Sequence, residues 1–176
     1  MSSPAPDQNS IQYLSFLLDG EAYAIGILHV REILEYRPPT RVPQTPPSIR
    51  GVINLRGKVI PIVDLAVKFG LPPTKATKWT CIIVAETTIA GENTVMGVLA
   101  DAVSEVIDLP PGDVEPPPSF GTRVKVDFLL GLGRAAGQKF VLLLDIDRIL
   151  SADEVGVASS PAAAAAVEAT AKLAGA

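Results

Sequence analysis

Residues 49–69, IRGVINLRGKVIPIVDLAVKF, constrain the fold of this chain more than any other stretch. Gly51–Leu55 and Lys58–Val63 are apolar runs of strand length, and the two residues between them, Arg56-Gly57, form a tight hairpin connection. Asp64 then suits a helix N-cap, its carboxylate accepting from backbone N–H groups of the first turn. Leu65 and Phe69 lie four apart on one helical face, and Gly70 suits the left-handed residue that closes a helix. The segment reads strand, turn, strand, short helix. Pro61 lacks the N–H a sheet ladder needs, which places the second strand at an edge or a bulge. Arg56 is the residue that apolar burial does not explain. A guanidinium at a turn between two apolar strands is either solvated surface or kept for a partner.

The rest of the chain is also rich in strand patterns. Ile11–Leu18 and Glu21–Ile25 flank Asp19-Gly20, a hairpin signal because both positions tolerate positive φ. A helical turn near Gly26–His29 precedes a strand over Val30–Tyr36. Arg37–Ser48 holds five prolines and reads as an extended loop connecting elements of this chain rather than as a polyproline ligand. Leu71-Pro72-Pro73 opens a linker to about Lys78. Strands follow over Trp79–Glu86, Thr94–Ala100 and Val103–Asp108, then a second proline loop over Pro110–Ser119. Phe128–Leu132 and Phe140–Ile146 are the last strands, with Asp145 or Asp147 capping a short helix through Leu150. The pattern of Val52–Phe69 echoes at Leu129–Leu150, with Arg134 expected in the turn and Asp145 at the helix start. Two similar five-strand modules account for the length and strand spacing better than one sandwich, and neither buries enough apolar area alone.

Composition narrows the function. The formal net charge is −4, which argues against a nucleic-acid binder, since neutralising phosphates takes surplus Lys and Arg. Residues 1–75 carry eight basic and six acidic residues, and residues 76–176 carry seven and thirteen, so the halves have opposite sign. A single cysteine excludes an internal disulfide, and the apolar run around Cys81 marks it as a core thiol. No apolar stretch reaches the ~20 residues needed to cross a bilayer, and the N-terminus has no signal-peptide pattern.

The catalytic inventory is sparse. Gly131-x-Gly133-x-x-Ala136 matches a dinucleotide fingerprint, but a strand follows where a helix should begin. Cys81 and His29 are the one conceivable thiol–imidazole pair, with nothing joining them. Asp145-x-Asp147 suits helix capping better than a hard metal. Neither a metal nor a cofactor is expected, and the chain reads as a binding protein.

Several motifs stand in one order: Tyr23-Ala24-Ile25; Val30-x-Glu32-Ile33; Thr40-Arg41-Val42-Pro43 with Pro46; Gly51-Val52-Ile53-Asn54-Leu55-Arg56-Gly57; Pro61-Ile62-Val63-Asp64-Leu65; Val98-x-x-Asp101-x-Val103; Gly131-Leu132-Gly133. Over Gln12–Leu150 the chain thereby resembles the CheW family of bacterial chemotaxis coupling proteins. The resemblance implies an all-β fold with short helices, as two SH3-like five-stranded β-barrel subdomains packed together. The first barrel would span roughly 11–75 and the second roughly 78–150, with strand exchange between them allowed. Residues 1–10 are expected to be disordered, 11–157 to form the CheW-like domain and 158–176 to be a flexible Ala-rich tail.

By the same resemblance the chain is a non-enzymatic, cytoplasmic adaptor recruited to membrane-associated receptor arrays. Its partners would be the regulatory domain of the histidine kinase CheA and the cytoplasmic tip of chemoreceptors, with no nucleic acid and no direct membrane insertion. Glu32 and Arg56 would form an ion pair that shapes the binding surface, with Asn54 in the same motif. Val30, Gly51 and Gly57 match receptor-contact positions, Gly51 letting a receptor helix approach closely. The end of the second module, around Leu129–Arg134 and the proline loop, is the expected kinase-facing surface. The alternatives are a scaffold of another chemosensory pathway, such as twitching motility, or a small β-barrel ligand-binding protein or enzyme. The Ala-rich tail and the longer Pro110–Pro118 loop depart from the family pattern.

Overall fold

The computed structural model describes residues 10–89, 91–117, 126–135 and 139–149. Of residues 1–10, expected to be disordered, 1–9 lie outside the described residues and Ser10 is described just before β1; the flexible tail expected at 158–176 and Pro118 also lie outside them. Among the described residues eleven strands and two short α-helices follow one another: β1 Ile11–Leu18, β2 Glu21–Gly26, β3 Val30–Glu35, β4 Ile49–Leu55, β5 Lys58–Val63, α1 Leu65–Lys68, β6 Cys81–Ile89, β7 Glu92–Ala100, β8 Ala102–Leu109, β9 Val114–Glu115, β10 Leu129–Ala135, β11 Lys139–Leu144 and α2 Ile146–Ile149. Single 3₁₀ turns occupy Ile27–His29, Pro111–Asp113 and Val126–Phe128.

The strands form a six-stranded sheet, β8-β1-β2-β11-β10-β9, and a five-stranded sheet, β3-β6-β7-β5-β4. Sheet membership does not follow chain order. The N-terminal hairpin β1–β2 pairs with strands of the second half, and β6–β7 pairs with strands of the first. Each half of the chain thus gives its leading hairpin to the other. Each exchanged hairpin is joined on both sides, by a parallel pairing (β2 with β11, β7 with β5) and by an antiparallel one (β1 with β8, β6 with β3).

Burial explains why the runs at the centre of each sheet are almost wholly apolar. Along β6, Ile82 and Val84 point into the interior of the five-stranded sheet with Ile53, Ile60, Ile62 and Leu99. Ile83 between them points the other way, into a cluster shared by both sheets with Leu14, Phe16, Tyr23, Ile25, Val63, Val98 and Leu144. The six-stranded sheet repeats the arrangement, with Tyr13, Ala24, Ile107, Leu109, Val141 and Leu143 in its own interior. Two subdomains, each with a private core, are therefore fused through a third, common core. A strand buried on both faces has no polar side to show.

The internal echo is a structural repeat. Asp64 N–H donates to the Ser48 carbonyl at 2.7 Å, and Asp145 N–H donates to the Phe128 carbonyl at 2.8 Å. Both hairpins carry a register shift at the same place, before Gly51 and before Gly131. Arg134, however, is not in a turn: it sits on β10 opposite Phe140. Pro61 is likewise not at an edge, because β5 lies between β4 and β7. It is tolerated since its partner Val52 turns both N–H and C=O to Thr40, at 2.8 Å each, and the parallel pairing to β7 begins only at Ile62. Trp79, expected to begin a strand, stands exposed in a loop and β6 starts at Cys81. Cys81 flanks the shared core, half-buried, and its burial pushes the thiol pKa up. The second proline loop holds the 3₁₀ turn and β9, which pairs with β10.

Asp64 is the hub of the first repeat. It is fully buried, and its carboxylate accepts from Arg50 Nη1 (2.9 Å), Ala66 N (3.1 Å), Thr74 N (3.0 Å) and Thr74 Oγ1 (2.9 Å). Removing it takes one partner from Arg50, which also donates to the Thr74 carbonyl at 3.2 Å, and leaves three buried donors without theirs. Asp64→Ala should cost about 3 kcal/mol, read as a lower midpoint in urea unfolding, and Asp64→Asn should cost less. A midpoint unchanged in Asp64→Ala would show that the network carries no stability.

Candidate functional site

β3 and β4 are the two ends of the five-stranded sheet, and three contacts join them into a barrel. Thr40, just past β3, exchanges backbone hydrogen bonds with Val52 on β4. Arg37 Nη2 donates to the Asn54 carbonyl at 3.1 Å. Arg56, in the β4–β5 turn, reaches Glu32 on β3 with two parallel bonds, Nη1 to Oε1 at 2.6 Å and Nη2 to Oε2 at 2.8 Å. The planar guanidinium fork suits this bidentate grip, which lysine does not offer.

The turn itself is unusual. Arg56 has φ +50° and Gly57 φ +85°, the pattern of a two-residue hairpin turn whose twist matches the flanking strands. Such a turn favours Asn or Gly at its first position, because a side chain there crowds the backbone. A long basic residue occupies it instead, with the Asn54 side chain accepting from Gly57 N–H at 2.9 Å to hold the bend. The Arg56 side chain remains 73% exposed and that of Glu32 26%. Exposed pairs of this kind contribute little to stability. Backbone strain accepted for a solvent-facing group is a mark of a functional site.

Beneath the pair lies an open groove of about 400 Å³. Leu55, Ile60, Val84 and Val95 give it an apolar floor, and Arg31, Arg56 and Lys58 ring it with positive charge around Glu32. Arg31 Nε pairs with Glu86 at 3.2 Å. The hydrogen bonds from Arg56 hold the Glu32 carboxyl below its ordinary range, and the same partner raises Arg56. The arrangement can grip a carboxylate beside an apolar side chain. It holds no arrangement for proton transfer or nucleophilic attack.

Of the expected site residues, Glu32, Asn54, Arg56 and Gly57 come together at this rim. Val30 does not: it opposes Ala85 and packs against the shared core. Gly51 is buried, and a Cβ there would stand 2.2 Å from the Thr40 carbonyl oxygen. The chain's own loop thus already makes a close approach that needs a glycine here. Sequence reasoning missed Arg31, Lys58 and the apolar floor; Lys58, directly after the turn, was the available signal. Gly131-Leu132-Gly133 lies within β10, and the next described residues, Lys139–Leu144, are strand β11. His29 bonds the Glu86 carbonyl through Nδ1, five residues along β6 from Cys81, which an extended strand puts about 17 Å away. Asp147 accepts from Thr87 Oγ1 and Thr88 N, and Asp145 pairs with Arg148. Among the described residues no helix is long and apolar enough to cross a membrane, and no three His, Cys, Asp or Glu gather as metal ligands.

Two outcomes follow from this geometry. Because the Glu32 pKa is depressed in the folded chain, the stabilisation from the pair is present above the unfolded-state pKa and lost as pH falls through the folded one. The Glu32 carboxyl carbon should therefore titrate at lower pH by NMR than in Arg56→Ala; coincident titrations would refute the pairing in solution. Gly51→Ala should destabilise by at least about 2 kcal/mol through the Thr40 clash, and Gly57→Ala by only about 1 kcal/mol through positive φ alone. Equal effects in thermal melts would contradict the different causes.

The comparisons with known proteins agree with one another. The CheW-like domain profile matches residues 12–154. A protein named chemotaxis protein CheW, from Klebsiella aerogenes, is 38% identical over 151 residues, covering 86% of this chain and 88% of its own. Protein FrzA of Myxococcus xanthus is 32% identical over 123 residues, covering 69% and 74%. The crystal structure of scaffolding protein TtCheW from Thermoanaerobacter tengcongensis superposes with a TM-score of 0.73 at 30% identity, over 88% of this chain and 95% of that one.

Proposed function

The chain belongs to the CheW-like domain family, and on that premise we propose that it is a chemotaxis scaffold coupling chemoreceptor tips to the regulatory domain of the histidine kinase CheA. The observation that carries this reading is Arg56, exposed, held at positive φ and gripping Glu32 across the closing seam of the barrel. Glu32, Asn54 and Gly57 set the direction in which Arg56 and the groove face a partner. The groove beside them is apolar with a basic rim, which suits a partner presenting an apolar side chain next to a carboxylate. The chain acts by binding and not by catalysis, in the cytoplasm, reaching the membrane only through the receptors it joins. The likeness to FrzA supports a second reading, in which the same surface serves a different chemosensory pathway.

Arg56→Ala decides between a partner contact and a structural arginine. With the CheA regulatory domain and a receptor tip fragment as titrants, the substitution should raise Kd for at least one of them by about tenfold or more. Its melting temperature should stay within about 3 °C of the parent. A large drop in melting temperature with both affinities intact would sink the reading.

A further inference from the structure

Trp79 is the chain's only tryptophan, and 67% of it is exposed. A single exposed apolar side chain is ordinary on a protein surface, so exposure alone carries nothing. Two further observations set this one apart.

The first is how its loop is held. At one end, Thr74 gives its N–H and its hydroxyl to buried Asp64. At the other, Thr80 is 4% exposed. Its hydroxyl donates to the Lys75 carbonyl at 2.8 Å and accepts the Thr77 N–H at 2.9 Å. Tyr36 N–H donates to the Thr80 carbonyl at 3.3 Å, fastening the loop to the end of β3. Trp79 N–H donates to the Thr77 hydroxyl at 3.1 Å. Residues 74–80 thus have a fixed backbone although no helix or strand includes them. The second observation is charge. Between Asp64 and Glu86 there is no acidic residue, only Lys68, Lys75 and Lys78, in a chain whose net charge is −4. Lys75 and Lys78 join no ion pair among the described residues. Lys78 Nζ lies 5.1 Å from the centre of the Trp79 ring.

We propose that residues 74–80 are a preset anchor that seats Trp79 in an acid-rimmed apolar socket on a partner protein of the signalling assembly. The inference rests on the adaptor reading and adds to it a contact away from the Arg56 groove. Tryptophan dominates the energetics of protein interfaces, and a backbone already ordered removes much of the entropy cost of docking it. The unpaired lysines select an acidic rim and steer the approach. A lipid surface fits less well. Recognition of anionic lipid takes clusters of about four to eight cations, and the rest of this chain is acidic enough to oppose it.

The test uses the full chain labelled with 5-fluorotryptophan, whose single ¹⁹F resonance reports Trp79 directly. It is titrated with the CheA regulatory domain, with a receptor tip fragment and with phosphatidylserine vesicles. The resonance should shift on saturation with one of the two proteins and stay put with vesicles. For that protein Trp79→Ala should raise Kd by about tenfold or more, and Trp79→Phe by less than about threefold. Lys75→Glu combined with Lys78→Glu should raise it by about tenfold at low salt, with the gap closing at about 0.5 M salt. A parent chain that binds either protein with an unmoved resonance, or that loses nothing in Trp79→Ala, overturns the anchor and leaves the adaptor reading standing. A resonance that moves only with vesicles overturns the protein socket. A parent chain that binds neither protein overturns the adaptor reading, and the anchor falls with it.

Discussion

The shared core between the two sheets is the constraint from which the rest of this fold follows. Phe16, Tyr23 and Ile25 from one sheet meet Val63, Ile83, Met96 and Val98 from the other, all essentially without exposure. A five-strand barrel of this size has too small an interior to be stable alone. By exchanging leading hairpins, each half of the chain places strands in both barrels, so neither barrel can form without the other. The exchange also puts β1, β2, β6 and β7 at the junction, where they are buried on both faces. Polar function is thereby pushed outward to the barrel-closing seam and to the loops.

That displacement accounts for the composition of the candidate site. Glu32 lies on an end strand of the five-stranded sheet and Arg56 lies in the hairpin at the other end. Their pair spans the seam that backbone hydrogen bonds leave incompletely closed, and Arg37 and Thr40 fasten the same seam below it. Because the pair is exposed, its energetic contribution is small, and its geometric contribution is large: it sets where the groove floor of Ile60, Val84 and Val95 opens. A surface with a charged clamp over an apolar trough has the chemistry of a protein contact. The fixed loop bearing Trp79 belongs to the same outward set, since it hangs on Asp64, the buried hub that also caps α1.

Much of this was legible in the residues, and where reading stopped there were physical reasons. The β4–β5–α1 unit could be read because each step has a local signal: Arg56-Gly57 for the turn, Asp64 for the cap, Gly70 for the stop, which does adopt φ +77°. Glu32 and Arg56 were paired through family resemblance; nothing local links residues 24 positions apart. Hairpin exchange was not readable from pattern, because a strand buried on both faces gives the same apolar run whichever sheet it joins. Gly51 shows a related limit. A glycine shows that something approaches the backbone, not what, and here the visitor is Thr40, eleven residues upstream. Pro61 was assigned to an edge or a bulge by a rule that counts lost hydrogen bonds; its strand is not an edge, the register shift lies one pair away at Gly51, and Val52 had already turned its own bonds to Thr40.

The repeat also exposes an asymmetry that bears on function. Matching registers place Val106 of β8 where Ile33 of β3 stands, both about half exposed. The residue before each is a glutamate, Glu105 and Glu32, and both strands carry an extra residue at the same point. The scaffold thus offers the carboxylate twice. The first hairpin answers it with Arg56; in the second, Arg134 pairs instead with Glu115, and Glu105 joins no ion pair among the described residues. Both barrels close through the loop after their first strand, Thr40 on Val52 in one and β9 on β10 in the other, and they differ in the side chains at the clasp. The charge difference between the chain's halves has the same sense. Duplicated barrels whose charges differ at this clasp give one fold two surfaces on which unlike partners can be told apart.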